Sequence, residues 1–201
     1  MAHSIELLFD DVTDGVLRGR WDALAAAGLP SQVRVSSPTN RPHVTVTVAD
    51  GISAAVDADL RGLAGLLPLP CLLGAPVVFG HLPALSTGRG GDGAAGRLLE
   101  LGEPRGRRRL TLAQLVVASA PLLELHRAVH TICVPHLTPG PAPHSLPGQW
   151  IPHATLARRM SAEQLASAIA AVPGISAECR GAVVGLRRWD GDARVEHVLI
   201  S

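Results

Sequence analysis

Apolar positions along this chain recur with two alternating periods, and the alternation predicts a mixed architecture. Ser4 to Phe9 alternates and then runs apolar, which predicts a first strand. Asp10, Asp11 and Asp14 supply negative charge for a helix start, and Leu17, Trp21 and Leu24 follow at i, i+4 and i+7. Gly28 and Pro30 end that helix. His43 to Val48 is β-branched with period two, a second strand. Ser53 is placed to cap a further helix with Val56, Leu60, Leu63 and Leu67 as its apolar stripe. Pro76 to Leu82 then reads as a strand, and Ser86 to Gly96 as a Gly-rich loop.

The second half follows the same plan. Leu110 to Ala118 is an expected strand, and Pro121 opens a helix with Leu122, Leu125 and Val129 on one face. A Pro-rich loop from Pro135 to Pro147 precedes a strand that carries His153 and Thr155. Ser161 and Gln164 form a capping box for a helix with Leu165, Ile169 and Val172 inside, ended by Pro173-Gly174. Arg180 to Trp189 and Arg194 to Ile200 make a terminal hairpin around Asp190-Gly191. Strand–helix–strand–helix–strand thus occurs twice, over about residues 1–100 and 108–201. Such a duplication predicts an α+β fold with two lobes. Its two pseudo-twofold related sheets, mixed or antiparallel, carry their helices outside and flank a central groove. The whole chain, 1–201, is expected to form one domain.

Both middle strands carry the same tripeptide pattern, His43-Val44-Thr45 and His153-Ala154-Thr155, 110 residues apart and each preceded by proline. On a strand, residues i and i+2 share a face, roughly 6.6 Å apart. Each strand therefore offers His and Thr on one side and aliphatic residues on the other. Imidazole has an ordinary pKa near 6.5, so of two imidazoles one can be neutral while the other is protonated. Displacement at phosphorus needs that pairing: one His takes a proton from the attacking oxygen and the other gives one to the leaving oxygen. The Thr hydroxyls can donate to the non-bridging oxygens, whose charge grows in the transition state. This chemistry calls for no metal and no cofactor.

The paired pattern, and Pro152-His153-Ala154-Thr155-Leu156-Ala157-Arg158 above all, resembles the two-histidine phosphoesterase superfamily, and within it the bacterial 2′–5′ RNA ligase / RNA 2′,3′-cyclic phosphodiesterase group. The resemblance covers nearly the whole chain. It implies both motif strands lining one groove, and metal-independent opening of a 2′,3′-cyclic phosphate to a 2′-phosphomonoester, with reversible 2′–5′ ligation in some members. It makes His43 and His153 the acid–base pair and Thr45 and Thr155 the phosphate donors, and Arg158 stands where the family's second motif often has an arginine. The first motif departs from the pattern in ending on Val46, where leucine is usual.

Composition narrows the alternatives. The chain is 47% hydrophobic and 17% charged, which marks a globular protein. All 18 basic residues are arginine. Without lysine there is no P-loop lysine, Schiff base or lysyl-adenylate, so an ATP-dependent ligase of that type is excluded. Net charge is +1 and the chain lacks tyrosine, which argues against a long nucleic acid track and against a platform of stacking aromatics. The partner expected is a small nucleotide or an RNA end bearing a cyclic phosphate. The alternatives are a small cyclic phosphate metabolite, or a non-catalytic RNA- or nucleotide-binding module. Three scattered cysteines and no recognisable signal segment fit a soluble, cytoplasmic monomer. The apolar run from Leu110 to Leu125 is broken by Gln114, Ser119 and Pro121 and is too short for a bilayer.

Lesser signals have plain readings. Trp150 is expected to pack beside the second motif, where it can flank a base; Trp21 is expected in the core, and Arg41 on the surface. Arg105, Arg107, Arg108 and Arg109 form a basic run, and Gly88, Gly90 and Gly93 match a dinucleotide fingerprint without its strand–turn–helix context. His126 and His130 sit at i, i+4 but lack a third ligand, which leaves them to the helix surface. His3, His81, His136, His144 and His197 are read as structural.

Overall fold

A computed structural model describes residues 2–80 and 110–201. His81, the Gly88–Gly93 pattern and the basic run Arg105–Arg109 lie outside the described residues. The fold is α+β, and every strand pair in it is antiparallel. In chain order the elements are β1 (His3–Phe9), α1 (Asp11–Ala26), β2 (His43–Ala49), β3 (Gly51–Ile52), α2 (Asp57–Arg61) and β4 (Leu69–Phe79). They continue with β5 (Leu110–Val116), α3 (Ala120–Cys133), β6 (Leu137–Thr138), β7 (His153–Met160), α4 (Ala162–Ala171), β8 (Cys179–Asp190) and β9 (Val195–Ile200).

The order β, α, β, α, β recurs, and the two copies exchange their last strands. One sheet runs β2-β1-β8-β4-β5-β7, with β9 also paired to β8. The first copy's β1 and β2 are thus completed by β8 from the second, and the second copy's β5 and β7 by β4 from the first. The two sheets expected from the duplication are joined where Leu69 to Leu73 of β4 pairs with Cys179 to Val183 of β8. A hairpin-by-hairpin reading of sequence carries no signal for such an exchange. β2 and β7 end the sheet and lie next to each other in space.

Caps and stops follow the sequence. The Asp10 side chain accepts from the Thr13 backbone N–H, Ser161 and Gln164 form a reciprocal capping box, and Gly28 leaves α1 at φ 73°. Two helix expectations need correction. After Ser53 the chain makes a 3₁₀ turn, five residues of α2 and a second 3₁₀ turn, so Val56 and Leu60 are buried but no single stripe reaches Leu67. In α4 the inward face is Leu165, Ala168 and Val172, and Ile169 is 43% exposed. The strand expected from Pro76 begins earlier, at Leu69, because its first half pairs with β8 and its second half with β5.

One apolar core runs through both halves, including Ile5, Leu7, Leu17, Leu24, Val44, Leu112, Leu122 and Leu156. Among the described residues no helix is long and apolar enough to cross a membrane. At Gly185 in β8 a Cβ would stand 2.8 Å from the Ile200 carbonyl oxygen, a backbone atom that cannot rotate away. Gly19, inside α1, would meet nothing within 4 Å. Gly185→Ala is therefore expected to destabilise by about 1–3 kcal/mol, and Gly19→Ala to stabilise by roughly 0.5–1 kcal/mol. Urea unfolding of the two variants beside the parent should show midpoints moving in opposite directions.

Candidate active site

Both His-x-Thr strands are sheet ends, and both are bulged at the same place. Across β1–β2, Ile5 faces Thr47 while Glu6 faces Thr45, which leaves Val46 as the extra residue. Across β5–β7, Leu112 faces Ala157 while Ala113 faces Thr155, which leaves Leu156 extra. The strict alternation expected through Val48 therefore breaks after each threonine. The residue after each bulge turns inward, so the pairs Val46–Thr47 and Leu156–Ala157 are all fully buried. A third irregularity, between Ala157 and Met160, includes Arg159 in the left-handed region at φ 62°. Backbone bent in this way is common next to active sites.

The bulges leave His43, Thr45, His153 and Thr155 half-buried on the same side of their strands. Each imidazole is fixed by the same device: His43 Nδ1 donates to the Arg41 carbonyl at 2.7 Å, and His153 Nδ1 donates to the Ile151 carbonyl at 2.7 Å. With Nδ1 bound, Nε2 is the ring atom left for proton transfer.

The strands are held across the groove by two tryptophans in crossed fashion. Trp21 of α1 donates its indole N–H to the Thr155 carbonyl at 3.0 Å, and Trp150, just before β7, donates to the Thr45 carbonyl at 2.8 Å. Trp21, expected as plain core, is thus buried and also ties the first copy to the second motif. Trp150 lies face to face with His126, ring centroids 4.1 Å apart and planes 9° apart. One face of that indole is therefore covered, and its N–H is already engaged. His126 itself is a correction: it is 2% exposed and hydrogen-bonds the Ser145 carbonyl through Nε2 at 3.0 Å, so it supports Trp150 instead of facing solvent.

A cavity of about 780 Å³ opens beside the motifs. His43, Thr45, Thr155 and Arg158 line it, together with Arg159 and Trp189. His153 does not line it; it is on the same strand as Thr155, its ring 4.4 Å from that of Phe79. Burial, above all, pushes the His153 imidazole below its ordinary value; the Ile151 carbonyl opposes this, while the charges of Arg158, His43 and His144 add to it.

Sequence reading passed over the charges beneath His43. Glu6 is buried in β1, with its Oε1 3.6 Å from His43 Nε2 and accepting from the Ser4 hydroxyl at 2.6 Å. Its Oε2 accepts from Arg187 Nε at 2.7 Å. Arg187 also donates to Glu196 at 2.6 Å, and Glu196 is shared with Arg41, which is half-buried and paired, not a free surface arginine. Burial pushes the Glu6 carboxyl up, but His43, Arg187 and the Ser4 hydroxyl outweigh it and hold the group below its usual range. The clue in the sequence was a lone carboxylate inside Ile5-Glu6-Leu7-Leu8-Phe9, where a buried charge needs a partner.

His3, read as structural, faces Asp190 and Asp192, with its Nε2 3.3 Å from the latter. Among the described residues no three His, Cys, Asp or Glu side chains gather in a way that could hold a metal ion.

A solved structure, that of Kluyveromyces marxianus Usb1, aligns over 100% of this chain and 98% of that one, at 14% identity and a TM-score of 0.49. No family model and no curated protein matches the sequence. At that distance, the site's chemistry has to be read from the chain's own side chains.

Replacing Trp150 by Phe keeps most of the stack on His126 but removes the donor to Thr45. The expected loss is about 1–2 kcal/mol in unfolding free energy. Chemical denaturation of this variant tests it, and a stability equal to the parent's would show the bond to be idle.

Proposed function

We propose that this protein is a metal-independent cyclic phosphodiesterase that opens a 2′,3′-cyclic phosphate on a nucleotide or an RNA end to a 2′-phosphomonoester. The observation that supports it is a pair of neighbouring sheet-end strands whose imidazoles share matched Nδ1 anchors, with His43, Thr45 and Thr155 lining one cavity. In this reading a phosphate sits between the motif strands. One Nε2 takes the proton of the attacking water while the other protonates the departing ribose oxygen. The Thr45 and Thr155 hydroxyls donate to the non-bridging oxygens, and Arg158 balances their charge. Trp189, Gln32 and Asn40 also line the cavity and supply an indole and two amides to a nucleoside carried by the phosphate. Trp150 acts here through Thr45, as a support of the first motif. The same step with a free 5′-hydroxyl attacking in place of water, and the 3′-oxygen leaving, would give 2′–5′ ligation.

Purified protein in EDTA should hydrolyse 2′,3′-cyclic nucleotides, with His43→Ala and His153→Ala each reducing the rate by about 10²–10⁴-fold. Activity that vanishes with the chelator, or survives both substitutions, overturns the mechanism. A panel of mononucleotide, short RNA and cyclic sugar phosphates separates a nucleotide enzyme from one acting on a small metabolite. Binding without turnover on all of them would mark a binding module.

The rate should also depend on pH in a stated direction. The base must be neutral, and burial with the nearby charges holds His153 below the ordinary imidazole value. If His153 is the essential base, the acid limb of kcat/KM lies below about 6.5, the usual imidazole midpoint. A limb above that value would exclude His153 from the role.

A further inference from the structure

We propose that Glu6 is a positioning residue that sets the direction of proton transfer, pairing with the His43 imidazole as the general acid and leaving His153 as the general base. The inference rests on the cyclic phosphodiesterase reading and adds the one thing that a symmetric pair of motifs leaves open.

The symmetry of the site is broken at a matched position. Across the ladder from Thr45 stands Glu6, and across the ladder from Thr155 stands Ala113. One motif thus has a buried carboxylate opposite its threonine, 3.6 Å from its imidazole, and the other has an alanine at that place. The two Glu6 oxygens have separate duties: Oε2 takes Arg187, and Oε1 is left to the Ser4 hydroxyl and His43. At 3.6 Å, Oε1 is too far from His43 Nε2 for a proper hydrogen bond but close enough for ion pairing. The carboxylate can therefore favour the imidazolium without taking over the N–H that a substrate oxygen needs.

The other charges around the pair are placed unequally. On the His43 side stand Glu6 from β1, Arg187 from β8, Glu196 from β9 and Arg41, and the two arginines are both engaged by Glu196. From β7 the neighbours are His153 and Arg158. On the His153 side the named neighbours are Arg158, His43 and His144, all cationic or able to become so. Among the described residues no carboxylate is one of them. A protonated His43 in turn discourages protonation of His153.

The step balances. Water attacks phosphorus as His153 Nε2 takes one of its protons, and a P–O bond forms. The P–O bond to the ribose oxygen breaks, and that oxygen takes the proton from His43 Nε2. One water is consumed, the ring opens to a monoester, and exchange of protons with solvent restores the resting pair.

Glu6→Gln keeps the shape and removes the charge. In the rate profile the acid limb reports the base and the basic limb reports the acid. The expected result is a basic limb moved to lower pH by about one unit or more, with the acid limb in place and KM nearly unchanged. A merely structural role would instead scale the whole profile or lower the melting temperature with both limbs fixed. Either an unmoved basic limb or an equal shift of both limbs overturns the proposal.

A second measurement holds even if Glu6→Gln fails to fold. With catechol cyclic phosphate the leaving oxygen is a phenol, which departs with less help from an acid. His43→Ala should then lose at least ten-fold less activity on it than on a nucleoside cyclic phosphate, while His153→Ala loses as much on both. The opposite pattern reverses the assignment and overturns the proposal. A parent protein inactive on every cyclic phosphate would overturn the phosphodiesterase reading itself, and this proposal with it.

Discussion

Strands that end a sheet have one edge without a partner, and here two such edges, those of β2 and β7, face each other across the candidate site. β2 and β7 are the ends of the seven-stranded sheet, and each carries a motif threonine whose carbonyl is received by a tryptophan from the other copy. An indole is a single donor on a large apolar plate, which suits a site that must satisfy one carbonyl and fill space at once. If β2 and β7 paired with each other the groove would close; if their edges stayed bare they would invite another chain. Trp21 and Trp150 satisfy one carbonyl on each while holding the strands apart. The bulges at Val46 and Leu156, the anchored imidazoles and the cavity all depend on that spacing.

Much of this was legible in the sequence, and for a definite reason. Period two and period 3.6 report which face of an element is buried. That was enough to place His43 with Thr45 and His153 with Thr155, to find α1 and α3, and to read the capping box at Ser161. The repeat itself pointed to an α+β fold with paired motifs. Periodicity says nothing about which strand neighbours which, so the exchange of β4 and β8 was invisible, and with it the joining of two sheets into one. Nor does it report bulges, since Val46 and Leu156 are aliphatic whichever way the strand continues.

The charges under the site were hidden for a different reason. A buried ion pair joins residues remote in sequence, and Glu6 with Arg187 are 181 positions apart. Arg187 and Arg188 look like an ordinary polar pair in a hairpin. On a strand they point to opposite sides, and each finds a carboxylate there: Arg187 finds Glu6, and Arg188 finds Asp57 at 2.6 Å. Both arginines are 3% exposed. Two adjacent charges on one strand cannot both face water when both faces of the sheet are covered. That constraint was present in the sequence, but only the sheet's outer layer makes it visible.

The charges also give meaning to the absence of lysine. Arg187 serves two ends, bridging Glu6 and Glu196, and Arg41 reaches the same Glu196. A planar fork with five donors can span two carboxylates in fixed geometry, and a lysine ammonium on a flexible stem holds neither so rigidly. The wall under His43 is thereby a neutralised lattice with one carboxylate oxygen left to the imidazole, while the wall near His153 carries Arg158, with no acid among its charged neighbours in the described residues. A duplication supplies two equal imidazoles; this unequal placement of fixed charge is what can make them do different work.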